Sequence, residues 1–456
     1  MIMKKKLFSI LLWISFTTVF AQVGHVMQGV GAVNMSMGGA ATGQPLDISG
    51  AMQWNPASLS TFDHNILKFD IGMFFSSPSL TASLPAGVLG PGLPGVSGTT
   101  KDDRGISPMP ALGMVWANDS SKHTFGISAF GISGFGVTFP VESNSPLDVA
   151  GNPNPKFNPG LNSNPVNYPQ PAGGFGRIES DYILLQVGFS YAYALSDQFS
   201  IGIQPTFDFA TLELMPNPTS DPSLTAGYPS TNKASATGFG GQVGIFFNSG
   251  SGFKAGASYK STQFFTDFLF ENTFLDNSTG KNKFNMDYPA ILSVGVGYSI
   301  GDIDLAVDYR NVDYDNTDGF STVGWTPTGS VAGFGWDDIS IVSAGIQYKG
   351  LNKLPLRVGY TYSSNPIRNE LAFFNVPATA IIKNAFQFGL SYIVNDNITL
   401  DAVYHHGDSS GSTGGEIFNP LNVPNNPPFG AIPGSKVSYN MTTDLVMIGF
   451  AYSFLK

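Results

Sequence analysis

Ile183-Leu184-Leu185-Gln186-Val187-Gly188-Phe189-Ser190-Tyr191-Ala192-Tyr193 is the stretch that decides the fold class. Its odd positions are all large and apolar, while Gln186, Gly188, Ser190 and Ala192 fill most of the even ones. Successive side chains leave a β-strand on opposite sides, so this period of two makes one greasy face and one small or polar face. The next run repeats it, with Phe199, Ile201, Ile203, Phe207 and Phe209 against Ser200, Gly202, Gln204, Thr206 and Asp208. Ile303, Leu305, Val307 and Tyr309 alternate with Asp304, Ala306, Asp308 and Arg310 in the same way. Near the C-terminus, Val446, Ile448, Phe450, Tyr452 and Phe454 alternate with Met447, Gly449, Ala451 and Ser453.

A soluble β-sandwich alternates too. Three features point instead to a transmembrane barrel, greasy outside and polar toward a wet lumen. The runs are longer than soluble strands, which average about five or six residues. Phe and Tyr gather near strand ends, as membrane-interface girdles require. The opposite faces carry Asp, Arg, Lys and Gln, which a dry core would not accept unpaired. Fourteen runs are expected, near 64–79, 106–118, 121–136, 178–194, 198–214, 235–248, 252–270, 282–299, 302–315, 336–348, 354–366, 383–394, 397–408 and 440–454. Short connections alternate with long ones, the pattern of short periplasmic turns and long external loops. The expected fold is therefore all-β, a 14-stranded antiparallel transmembrane barrel over 64–456. Its Asn-Pro-rich long loops, such as 137–177 and 409–439, are expected to cap it in solvent.

Composition bounds the alternatives. The chain has 456 residues, of which 12% are charged and 13% aromatic, with 54 Gly and no Cys. Such sparse charge with so many rings excludes a disordered or coiled-coil protein. The lack of Cys excludes disulfide frameworks and thiolate metal sites. A net charge of −10 argues against a nucleic-acid partner. Residues 1–21 read as a signal peptide: Lys4, Lys5 and Lys6 precede an apolar stretch, with Val19 and Ala21 small enough for a cleavage site before Gln22. Export to the outer membrane of a Gram-negative cell follows. Beyond this segment no apolar run of about 20 residues, the length of a helical span, occurs.

Residues 22–63 do not alternate. They are rich in Gly, Ala, Ser and Met, and close on Trp54-Asn55-Pro56-Ala57-Ser58-Leu59. A plug, or hatch, folded into the lumen is expected, its small residues permitting close approach to the wall. Gly29-Val30-Gly31 is no phosphate loop, since Asn34 stands where a third Gly belongs and no strand precedes it.

With Gly38-Gly39-Ala40, Asp47 and Asn55-Pro56-Ala57-Ser58-Leu59 in this hatch, the sequence resembles the FadL/TodX family of outer-membrane transporters. Asp287-Tyr288-Pro289-Ala290, Leu356-Arg357-Val358-Gly359-Tyr360 and Phe386-Gln387-Phe388-Gly389-Leu390-Ser391-Tyr392 continue the likeness in order along the chain. The resemblance implies a 14-stranded barrel blocked by a hatch, marked here by Asn55, Pro56 and Ala57. It implies uptake of long-chain fatty acids or other hydrophobic compounds, with sideways release through a kinked third strand. It also implies that the last strand contributes near an inner pocket.

The residues allow candidates for each role. Gly126, Gly131, Gly134 and Gly136 lie within the third run and mark a bend or bulge there, the candidate lateral gate; smoothing of barrel curvature is the alternative. A carboxylate ligand would need a cation in a greasy groove. Parity puts Arg357 in the lumen with no carboxylate on its own strand, and Lys383 follows it. Arg310, beside Asp304 and Asp308, suits a lumen ion pair better. Leu184, Phe246, Leu445 and Met447 are candidate pocket-lining residues. No enzyme site assembles, because His405 and Asp401 share a face without a nucleophilic Ser. No cofactor is expected, and Asp313–Gly319 lacks the spacing of a calcium loop. The function expected is passive uptake of hydrophobic small molecules, by a monomer among outer-membrane lipids and lipopolysaccharide, delivered by the barrel-assembly machinery. The competing reading is an adhesin or structural barrel whose loops do the work; a porin is disfavoured by the hatch.

Overall fold

Burial alternates residue by residue along the strands, as in Phe199–Met215, where every second side chain is enclosed and the others, Ile201, Ile203, Phe207 and Phe209 among them, lie exposed. In the computed structural model, which describes residues 24–223, 225–419 and 429–455, the enclosed face lines a lumen. The expected signal peptide lies outside the described residues. Fourteen strands form the wall: β1 (Asn65–Leu84), β2 (Ser107–Trp116), β3 (His123–Phe139), β4 (Ile178–Ala194), β5 (Phe199–Met215), β6 (Ala234–Asn248) and β7 (Phe253–Lys260), then β8 (Ala290–Ile300), β9 (Ile303–Asp313), β10 (Ile339–Tyr348), β11 (Leu356–Ser363), β12 (Asn384–Ile393), β13 (Ile398–Asp408) and β14 (Lys436–Phe454). Each pairs antiparallel with the next, and β14 closes on β1 in register from Asn65 opposite Phe454 to Ser83 opposite Lys436. Closure removes the edges between first and last strand, the condition for any sheet at membrane depth, and among the described residues leaves the outer part of β3 without a neighbouring strand on one side.

The periodicity overran the wall in one place. The run expected over 252–270 ends as β7 at Lys260, and β8 begins only at Ala290. Between them Phe268–Thr273 and Thr279–Phe284 pair as a separate hairpin that also meets Ser230–Thr231. This hairpin buries Phe268, Phe270 and Phe284 among the loops, so it has its own greasy face and alternates like wall. The long connection 367–382 departs from the solvated character expected of the long loops: Leu371 to Asn375 and Ala378 to Ile382 are buried. Its composition is apolar, and it enters the barrel mouth.

Residues 24–63 fill the lumen. Helix α1 (Ala32–Ser36) and helix α2 (Ile48–Trp54) are both buried throughout, and a 3-10 turn (Pro56–Thr61) leads into β1. The carboxylate of Asp47 caps α2 by accepting from Gly50 N–H at 3.0 Å. Asn55 ends α2 and starts the turn: its Oδ1 accepts from Ala57 N–H at 3.1 Å, while Nδ2 donates to Thr42 O and, across to β6, Ile245 O, both at 3.0 Å. Pro56 follows where a missing N–H costs nothing.

Wall glycines admit this backbone. A Cβ on Gly256 would sit 2.0 Å from Thr42 O, and one on Gly359 would sit 2.1 Å from Gly38 N. The lumen-facing charges then pin the hatch. Lys68 Nζ lies 2.7 Å from Asp401 and 3.1 Å from Asp47, and Asp70 accepts from Ala32 N–H at 2.9 Å. Asp308 accepts from Ala41 and Thr42 N–H and pairs with Arg310, whose guanidinium also donates to Gly39 O and lies 3.6 Å over the Trp54 ring.

Two outcomes follow from this packing. Gly359→Val should push the hatch off its seat in a folded barrel, so the variant should pass ions in planar bilayers where the parent blocks them; a parent-like conductance would refute the close fit. Lys68→Met leaves Asp47, Asp70 and Asp401 without their shared cation, and removing one partner of a buried ion pair costs about 3–5 kcal/mol. The guanidinium midpoint of unfolding in micelles should fall accordingly.

Candidate functional site: a breach in the barrel wall

The one-residue offset between β3 and β4 is where the wall departs from regularity. Gly131 pairs with Leu185 and Ser133 with Leu184, so Ile132 is an extra residue and the strand bulges. Before the bulge the even residues Ser128 and Phe130 are enclosed; after it the odd residues Ser133, Val137 and Phe139 stand opposite the lumen-facing partners of β4. On the other side of β3 the ladder stops. β2 and β3 pair from Trp116–Phe125 only to Ala111–Phe130, whereas β2 continues to pair with β1 as far as Ser107. Residues 107–110 read Ser-Pro-Met-Pro, and the two prolines have no N–H to offer a ladder.

The free edge of β3 finds other partners. Met27 N–H donates to Ile132 O at 3.0 Å, and His25 O accepts from Gly134 N–H at 3.2 Å and from Ser133 Oγ at 2.8 Å. Further out, Asp103 N–H donates to Thr138 O at 2.8 Å. Arg104 donates from its guanidinium to Phe135 O of β3 at 3.4 Å, and across to β4, to Ser180 O at 2.9 Å and the carboxylate of Asp181 at 2.5 Å. The hatch and one loop thus satisfy the backbone that β2 leaves bare.

A cavity, open at its mouth, occupies this breach. From β4 it touches both the lumen-facing Tyr182 and Leu184 and the lipid-facing Ile183 and Leu185. Residues 107–110 form one side, and Gly131, Gly134 and Gly136 the other. Two more cavities lie above it among the loops. The buried loop connects all three: Phe373 borders both upper cavities, Val376 and Pro377 the middle one, Thr379 and Ala380 the lowest. Ser180 Oγ donates to Pro377 O and Trp336 Nε1 donates to Asn375 Oδ1, which fixes the loop in place. No charged side chain among the described residues lines either upper cavity.

The candidates separate accordingly. Gly131, Gly134 and Gly136 lie at the breach, but Gly126 sits in the regular ladder opposite Val115 and Ser190, where a Cβ would be 2.9 Å from Met52 of the hatch. Leu184 lines the lowest cavity; Leu445 and Met447 pack on Met27, Ala32 and Met35 of the hatch, and Phe246 lines none of the three. Arg310 is committed to Asp308 and Gly39. Arg357 is buried with its Nε donating to Gln347 Oε1 at 2.6 Å, and neither it nor the half-buried Lys383 lines a cavity. Asp401 is bound to Lys68 and His405 lies 3.2 Å from Gln387. Sequence reasoning passed over Arg104, Pro108, Pro110 and the loop 369–382. The Ser-Pro-Met-Pro stretch inside an otherwise alternating strand was the available signal.

Comparison with known proteins places this architecture. No curated protein matches the sequence. The fold is that of the toluene transporter TodX of Pseudomonas putida (TM-score 0.65, 16% identity, 94% of this chain and 99% of that one). It is likewise that of a Pseudomonas aeruginosa FadL homologue (0.68, 13%, 95% and 100%) and of the Ralstonia pickettii toluene transporter TbuX (0.62, 16%, 94% and 99%). The family model described as outer membrane protein transport protein (OMPP1/FadL/TodX) matches residues 167–416, more than half of the chain, and the protein belongs to that family.

Proposed function

We propose that this protein carries hydrophobic small molecules passively across the outer membrane and releases them sideways, through the breach between β2 and β3. The observation that carries the reading is the lowest cavity, bordered by lumen-facing and lipid-facing side chains of one strand. Ligand enters at the loop cavities, follows the buried segment 369–382 inward, and leaves between residues 107–110 and Gly131. Transfer out of water and the ligand gradient supply the drive. The long loops, which an adhesin would use outward, form cavity walls through Val166, Phe175, Tyr228 and Phe418.

The protein works as a channel and not as an enzyme, since Asp401 and His405 serve hatch and wall. It sits as a monomer in lipid and lipopolysaccharide of a Gram-negative outer membrane. The toluene named for two proteins of the same fold, and the monoaromatic hydrocarbons named for the channel CymD, suggest the size of ligand.

Gly131→Phe tests the exit. A Cβ there meets nothing nearer than Pro110 O at 3.6 Å, so the ring can be accommodated on the lipid side of the breach. Uptake of a radiolabelled hydrocarbon into cells should fall about tenfold, because the substitution narrows the opening and spares the ladder. Unchanged uptake by a variant that still migrates as a folded barrel in unheated gels would rule out lateral release.

A further inference from the structure

His25, beside the breach, stands inside a box of rings. Its imidazole centroid lies 4.9 Å from Phe320 in a stacked arrangement, 5.5 Å from Tyr314, 5.7 Å from Tyr288 and Trp336, and 5.9 Å from Tyr182. Tyr314 Oη and His25 Nδ1 are 2.7 Å apart. Three other polar atoms of the box have no hydrogen-bond partner: His25 Nε2, Tyr182 Oη and Tyr288 Oη. All three residues are essentially inaccessible, at 0%, 1% and 0% exposure. Buried polar atoms are nearly always paired, and each of these hydroxyls could be deleted by a Phe in its place without loss of packing. Three unpaired atoms in one aromatic box mark a place completed by a polar group from elsewhere.

The lowest cavity gives that group its route. Tyr182 belongs to the box and to the cavity wall, as does Gly24, the residue before His25. The remaining walls are mostly apolar, including Met27, Met109 and Leu184. The cavity's one charged lining residue among the described residues is Arg104, and its guanidinium is taken up by Asp181, Ser180 O and Ser107 Oγ. A carboxylate lodged here would be buried without a free cation, which is strongly unfavourable. An uncharged ring carrying one hydroxyl fits both demands. Its π-face suits the ring edges around it, and its hydroxyl both donates and accepts.

We propose that His25, Tyr182 and Tyr288 form a polar subsite that selects uncharged, hydroxyl-bearing aromatic compounds of the phenol class over hydrocarbons and over aromatic carboxylates. The subsite deepens the uptake reading and rests on it. Tyr182, the one of the three that lines the cavity, meets the ligand hydroxyl first, with His25 and Tyr288 behind it and the ligand ring toward Phe135 and Leu184.

Isothermal titration of the purified full-length barrel in micelles with p-cresol, toluene and p-toluate tests this. p-Cresol should bind about tenfold tighter than toluene, the scale of one or two hydrogen bonds to otherwise unpaired groups, and p-toluate weakest of the three. Tyr182→Phe and Tyr288→Phe should each reduce the ratio of p-cresol to toluene affinity severalfold, and the double variant should bring it to about one; gel mobility of the unheated proteins verifies folding. Equal affinity for p-cresol and toluene in the parent overturns the subsite and leaves uptake standing. So does an unchanged ratio in both single variants, which would mean that the box holds water only. p-Toluate binding as tightly as p-cresol refutes the exclusion of anions. If neither p-cresol nor toluene binds, the uptake reading fails with it.

Discussion

A sheet in lipid has to pair every backbone N–H and C=O with itself, because no water is present to take an unpaired group. The closed ladder from β1 to β14 meets this requirement almost everywhere, and the interest of the molecule lies in where it does not. At residues 107–110 two prolines withdraw donors, and at Ile132 an extra residue throws β3 out of step with β4. Left alone, the exposed edge of β3 would be intolerable at membrane depth. His25 and Met27 from the hatch, with Asp103 and, through Phe135 O, Arg104 from a loop, supply the missing partners. The opening thus exists because parts of the chain that are not wall complete the wall.

This arrangement explains why the hatch must be seated so firmly. Its N-terminal residues can serve as partners for β3 only if the remainder holds still in the lumen. Asp47, Asp70, Asp308 and Asn55 each combine a hydrogen bond to hatch backbone with a tie to the barrel. Glycines facing the hatch, such as Gly256 and Gly359, remove the side chains that would hold the two backbones apart. Lumen charge, which from sequence looked like candidate ligand chemistry, is chiefly fastening.

That difference marks what the sequence made legible. Strand class, closure and the number of strands followed from period-two alternation, since one face meets lipid and the other does not. The hatch followed from the absence of alternation before Asn65. Parity correctly turned Arg357 and Arg310 inward, yet parity reports a face and not a depth. Neither lines the cavity: Arg310 is held by Asp308 and by Gly39 O of the hatch, and Arg357 donates to Gln347 on the neighbouring strand. The hairpin 268–284 misled the pattern because any two-stranded unit with one buried face alternates. Gly126 and Gly131 look alike in sequence; one accommodates Met52 and the other borders an opening. Only the pairing of β2, visible as prolines in a strand, separates them.

The energetics of exit follow from the same contacts. A ligand leaving downward would have to unseat the hatch, breaking the buried Lys68–Asp47 ion pair, a loss that costs about 3–5 kcal/mol, together with the hydrogen bonds of Arg310 to Gly39 O and of Asp308 to Ala41 and Thr42 N–H. A ligand leaving sideways meets a handful of neutral hydrogen bonds from His25 and Met27, each worth about 1 kcal/mol net and each remade once the ligand has passed. It also passes directly from an apolar cavity to the lipid against Ile183 and Leu185, without meeting water. For a hydrophobic compound that second path avoids the transfer into water that limits diffusion through an ordinary pore. The rigid hatch and the yielding seam beside it are therefore parts of one device, because the firmness of the first makes the second the lower barrier.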